Sequence, residues 1–110
     1  MEKESYLILS ELVSKDLQLE EGERLATADD KPDLNLFHER LKTLIAYLLD
    51  NDMHRLLNAM YRLDVSEVKF HEAMQSQDKE TAASRVADLV LEREMQKVKT
   101  RLHYRKHRKF

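Results

Sequence analysis

The sequence predicts an all-α fold, a compact bundle of four to five helices with a long C-terminal helix, forming a single domain over residues 1–110. Three observations carry that expectation. Apolar residues recur every three or four positions along most of the chain, the spacing of one helical face. Leucine occurs 18 times against 12 for valine, isoleucine and threonine together, so the apolar residues are mainly those that keep their rotamer freedom in a helix. One glycine, Gly22, and one proline, Pro32, leave almost no turn chemistry for hairpins.

The longest stripe runs from Leu36 to Leu63 through Phe37, Leu41, Leu44, Ile45, Leu48, Leu49, Met53, Leu56, Leu57 and Met60. It cannot stand in water alone and is expected to organise the fold. Before it, Tyr6, Leu9, Val13 and Leu17, widened by Ile8 and Leu12, predict a helix over about 2–19, with Gly22 placed to end it in the left-handed backbone that glycine tolerates. Residues 20–33 collect acids, Gly22, Thr27 and Pro32 with little bulk beyond Leu25, and are expected to be an exposed acidic connection. Asp33 is placed to cap the next helix. The triplet Asp50, Asn51, Asp52 favours a break near Asn51, since short polar side chains compete for backbone groups there, while Met53 and Leu56 nearly continue the phase of Ile45, Leu48 and Leu49, so one long helix running through is the alternative.

Asp64 followed by Glu67 has the D-x-x-E spacing of a capping box and predicts a short peripheral helix over about 65–75. From Lys79 onward, Ala82, Ala83, Val86, Ala87, Val90, Leu91, Met95, Val98 and Leu102 form a face at close to helical period. A helix reaching His107 would run roughly 43 Å, longer than any partner within the chain. Its end is expected to overhang the bundle, exposing Met95, Val98 and Leu102 unless a second copy covers them. A homodimer is therefore expected, or else association with another protein.

The phrases MYRLDVSEVKF (Met60 to Phe70) and VADLVLEREMQKVKTR (Val86 to Arg101) resemble those of a family of small uncharacterised bacterial proteins, all-helical and with no assigned activity. The resemblance covers about a quarter of the chain. It implies a bacterial helical protein and transfers no functional residue.

A length of 110 residues suits one core that buries roughly two-thirds of the unfolded surface. With no cysteine, disulfides and thiol nucleophiles are excluded, and any zinc site would need histidines and carboxylates alone. The acidic opening residues form no basic-then-apolar leader, and no run approaches the ~18 apolar residues of a membrane span. A soluble cytoplasmic protein without membrane partners is expected.

The formal net charge of −2 hides a gradient: residues 1–33 carry ten acids and four bases, residues 34–92 ten and seven, and residues 93–110 one and eight. The basic C-terminal extension, residues 99–110, contains the candidate interaction surface: Arg101, Tyr104, Arg105, Lys106, Arg108 and Lys109. It can neutralise phosphates or pair with an acidic protein surface. It can equally be a solubilising helix end that meets the helix dipole, or find its counter-charge in the acidic first third of the same molecule or of a twin.

No catalytic, cofactor-binding or metal-binding residue is assigned. His38-Glu39 and His71-Glu72 open like a zinc-protease motif, but Lys42 and Gln75 stand where the second histidine belongs. No glutamate has a histidine three positions later, which removes the di-iron bundle pattern. His103 and His107 are one turn apart, though five basic residues around them oppose a cation. His54 with Asp50 one turn earlier lacks an accompanying nucleophile motif, and a single glycine rules out phosphate-cradling loops. Arg62, pairing with Asp64 or Glu67 beside Tyr61, fits a stabilised interhelix corner, and the methionines fit core filling. A non-catalytic protein-interaction or assembly module is the leading expectation. A nucleic-acid-associated protein using the basic C-terminal helix is the alternative.

Overall fold

The computed structural model describes residues 1–107, and among them every regular element is helical. The helices are α1 (Lys3–Asp16), α2 (Leu34–Asn51), α3 (Met53–Leu63), α4 (Glu67–Met74) and α5 (Lys79–His107), with a 3₁₀ turn at Glu21–Glu23 between α1 and α2. They form a bundle with extents of 50 × 29 × 22 Å. Among the described residues no helix is long and apolar enough to cross a membrane.

Helix α5 is the spine: it touches every other helix, and its most extensive contact is with α2. The reason lies in side-chain size. On α5, Ala83, Val86, Ala87 and Val90 are small and completely buried, so the backbone approaches the large buried row Phe37, Leu41, Ile45 and Leu48 of α2. The central stripe is therefore shared rather than dominant. Its α2 half faces the core, but Leu36 and Leu57 are exposed at 42% and 46%, outside the stripe assigned to them.

The break in the stripe falls at Asp52, next to the expected Asn51. Asp52 closes α2 by donating its backbone N–H to Leu48 O and opens α3 by accepting from Arg55 N at 3.2 Å. Asp33 caps α2 as expected, accepting from Leu36 N at 3.0 Å.

Two terminations differ from expectation. Helix α1 ends at Asp16, and the left-handed residue after it is Gln18 (φ 53°), while Gly22 sits inside the 3₁₀ turn without a positive φ. Asp64 does not open α4; it closes α3 in the left-handed conformation (φ 55°, ψ 43°), and Ser66 caps α4 by accepting from Lys69 N at 3.3 Å.

The 20–33 connection is exposed only in part. Leu25 and Ala26 are buried in the core, where Ser10 Oγ donates to Ala26 O at 3.0 Å and Arg40 donates to Leu25 O at 2.8 Å. A two-pronged pair, Arg55 to Glu23 at 3.0 and 3.1 Å, ties the 3₁₀ turn to α3.

The expected bare overhang of α5 is also absent. Val98 is 1% exposed, and Met95 and Leu102 are half-buried against the core. Helix α1 packs along this part of the bundle and supplies the cover. The two helices run antiparallel, with Lys97 bonded to Asp16 and Arg105 to Glu4, so α1 covers the part of α5 that extends beyond the shorter central helices.

Candidate functional site

The last turn of α1 meets the far half of α5, and the meeting is built from charged residues. Arg93, Lys97 and Arg101 stand four apart on α5, forming one basic row whose rungs are about 6 Å apart along the axis. Gln96, Thr100 and Tyr104 form the neighbouring row, exposed to solvent. Lys15 and Asp16 face them from α1, with Leu12 as apolar lining, and together these residues line an open groove of about 530 Å³.

Ends of helices leave carbonyls unpaired, and cations here meet them. Arg62 donates to Asp16 O, on the last residue of α1, at 3.2 Å. Arg93 Nε donates to Leu63 O, on the last residue of α3, at 2.9 Å, and its guanidinium also donates to Gln96 at 2.9 Å. The corner expected between Arg62 and Asp64 or Glu67 is thus replaced by a tie between α3 and α1. Tyr61 does point outward, at 89% exposure.

Beneath the groove lies a carboxyl group whose charge no hydrogen-bond donor stabilises. Glu94 is fully buried, and no donor reaches either oxygen. Burial pushes its pKa up, hydrogen bonding with Asp16 and the Asp16 charge add to the rise, and Lys97 opposes it, leaving the group at about 9. Glu94 therefore carries a proton at neutral pH and donates it toward Asp16. Asp16, itself buried, also accepts from Lys97 Nζ at 2.9 Å. With Glu94 neutral, four basic side chains against one carboxylate give the groove lining a formal charge of +3.

Of the residues expected to form a surface, Arg101 and Tyr104 line this groove. Arg105 turns to Glu4 of α1, so the acidic first third of the same molecule takes up part of the basic end. Lys106 is exposed, and Arg108 and Lys109 lie outside the described residues. Lys15, Arg93 and the Asp16–Glu94 pair went unread in the sequence. The signal for Glu94 was there: it sits four residues from both Val90 and Val98, on the buried stripe.

The other polar candidates disperse. His54 is exposed, and Asp50 pairs with Lys79 of α5. His38 Nε2 lies 2.8 Å from Asp88, and His71 bonds Gln75 at 3.0 Å. The His103 ring meets Tyr104 edge-on, with centroids 6.4 Å apart. Among the described residues no three His, Asp or Glu side chains gather where they could hold a metal ion.

A second groove, about 760 Å³, opens where α3 turns into α4. Leu57, Met60, Tyr61, Val65 and Phe70 give it an apolar lining, with Asp64, Glu67 and His71 as polar members. Leu57 and Tyr61 stand one turn apart on α3, and Val68 on α4 is 67% exposed.

Comparison with protein families, with curated proteins and with solved structures finds no match to this chain.

Proposed function

We propose that this chain is a non-catalytic protein-interaction module that self-associates through the α3–α4 face. The supporting observation is the unburied apolar cluster of Leu57 and Tyr61, 46% and 89% exposed in a groove with further apolar lining. Large exposed side chains gathered in a concavity mark association surfaces, and tyrosine is enriched among residues that dominate binding energy. A second copy is the occupant the chemistry favours. Asp64, Glu67 and His71 rim the groove, so a two-fold pairing can set the imidazole of each copy against a carboxylate of the other around the apolar centre.

The resemblance of Met60 to Phe70 and Val86 to Arg101 to small bacterial helical proteins, together with the absence of cysteine, supports placing such a module in a bacterial cytoplasm. Cross-linking from a photoreactive group at position 61 tests the face in the full chain. A covalent dimer that forms from position 61, fails to form from Glu11 and disappears in Leu57→Glu is the expected result. Cross-links equal at both positions would discard it.

A further inference from the structure

We infer that the groove between α1 and α5 binds single-stranded nucleic acid, with Lys15 and Arg101 as phosphate-binding residues and Tyr104 as a base-stacking surface. The inference is independent of the α3–α4 face, since it uses none of its residues.

The groove offers what such a ligand needs. Lys15 projects from the end of α1 and Arg101 from α5, and neither is engaged with another described side chain, unlike Lys97, held by Asp16, and Arg93, held by Leu63 O and Gln96. Tyr104 is 72% exposed, and the edge-on His103 ring braces it. Gln96 and Thr100 are exposed on the same row as the ring; the Gln96 Oε1 accepts from Arg93 and the Thr100 hydroxyl donates to Gln96 O, which leaves the Gln96 amide N–H groups to donate to, and the Thr100 oxygen to accept from, sugar and base edges.

The alternative occupant, an acidic protein segment, fits less well. Stable protein contacts rest on buried apolar anchors, and the apolar side chain named in this groove, Leu12, is already 5% exposed within the fold. A flexible strand with a charged backbone and flat bases uses cations and an exposed aromatic ring instead. The buried Glu94 contributes by being protonated: its neutral carboxyl occupies Asp16 without adding a second negative charge beneath the phosphates.

Fluorescence anisotropy of the full chain with a labelled strand of about twelve thymidines, at roughly 50 mM salt, tests this. Binding is expected, with log K falling against log salt at a slope of about −1.4 if Lys15 and Arg101 each neutralise one phosphate. Tyr104→Ala should weaken binding about 5- to 100-fold while Tyr104→Phe retains it, because stacking needs the ring and not the hydroxyl. Arg101→Ala and Lys15→Ala should each weaken binding and flatten the salt slope; both side chains are on the surface, and circular dichroism confirms that the variants are folded. Absence of binding overturns the inference, as does binding unchanged in both cation variants, which would place the contact elsewhere on the chain. Displacement of the strand by polyglutamate as readily as by unlabelled strand also overturns it, in favour of an acidic protein partner.

Discussion

A carboxyl group sealed among helices makes stability depend on pH in a direction opposite to that of most acidic residues. Glu94 rises from its ordinary value of 4.5 to about 9 in the folded chain, so between those values the folded state holds a proton that the unfolded chain has lost. Stability from this group is complete below pH 4.5, falls as pH rises toward 9, and changes no further above it. Each pH unit in that window costs about 1.4 kcal/mol, so the burden near pH 7 is on the order of 3 kcal/mol. Glu94→Gln keeps the shape and a donor for Asp16 while removing the titration. Urea unfolding should find the variant within ~1 kcal/mol of wild type at pH 5 and more stable by roughly 4–5 kcal/mol at pH 8. Equal stability at pH 8 would mean Glu94 is ionised without cost. The apolar side of the same scale separates two leucines of one stripe: Leu48, fully buried, should lose about 2–5 kcal/mol on replacement by Ala, whereas exposed Leu57 should lose under ~1 kcal/mol in thermal melts. Periodicity names the stripe but not its centre. A stripe read along α2 and α3 as one face splits where Asp52 reorients the second helix, and Leu57 turns outward.

At the scale of elements, helix positions were legible and helix ends were less so. The boundaries of α5 follow from its unbroken apolar repeat and from Asp78, which accepts from Thr81 N at 2.7 Å; the ends of α1 and α3 depend on left-handed residues that are not glycine. A D-x-x-E spacing fits a helix start, yet at Asp64 the backbone had first to close α3, and that requirement won. Asp64→Gly should be neutral or stabilising by up to ~1 kcal/mol, and Asp64→Val should destabilise, since a branched side chain resists a positive φ. Thermal melts of the two variants decide the order. The acidic connection shows the same limit of pattern: Leu25 looked isolated, but tertiary bonds from Ser10 and Arg40 hold its neighbourhood in the core. Proteinase K should therefore cut first within residues 27–31, an exposed turn tied to the bundle by the pair of Asp30 with Arg40, and Arg55→Ala should extend cutting toward Glu23 by removing the two-pronged pair. That pair also lowers the Glu23 pKa, chiefly through the Arg55 hydrogen bonds. Its contribution is present above pH 4.5 and fades as the pH drops through the lowered value, so cutting near Glu23 should increase in acid.

For the whole molecule, the charge gradient and the covering of α5 lead to one question, which face remains for a partner. The long terminal helix suggested a dimer through Met95, Val98 and Leu102, but α1 covers that stripe and Arg105 reaches Glu4, so the basic and acidic ends of the gradient meet within one chain. Self-association, if it used α5, would have to displace α1 and expose Tyr6 and Leu9, both fully buried, at a cost of several kcal/mol that a dimer contact would have to exceed. The α3–α4 face requires no such displacement. Leu57 and Tyr61 already meet solvent in one groove, so pairing them gains apolar burial without unpacking the bundle. Light scattering coupled to size exclusion at moderate salt should give twice the 13.1 kDa chain mass at high concentration. Leu57→Glu with Tyr61→Asp should return it to a single chain while leaving the melting temperature nearly unchanged, because neither side chain belongs to the core. The arm at Val98 discriminates: Val98→Ala should lower the melting temperature without changing the mass of the folded species, since its contacts are intramolecular. A wild-type mass of one chain throughout the concentration series would remove the dimer and leave the α3–α4 face to a different protein.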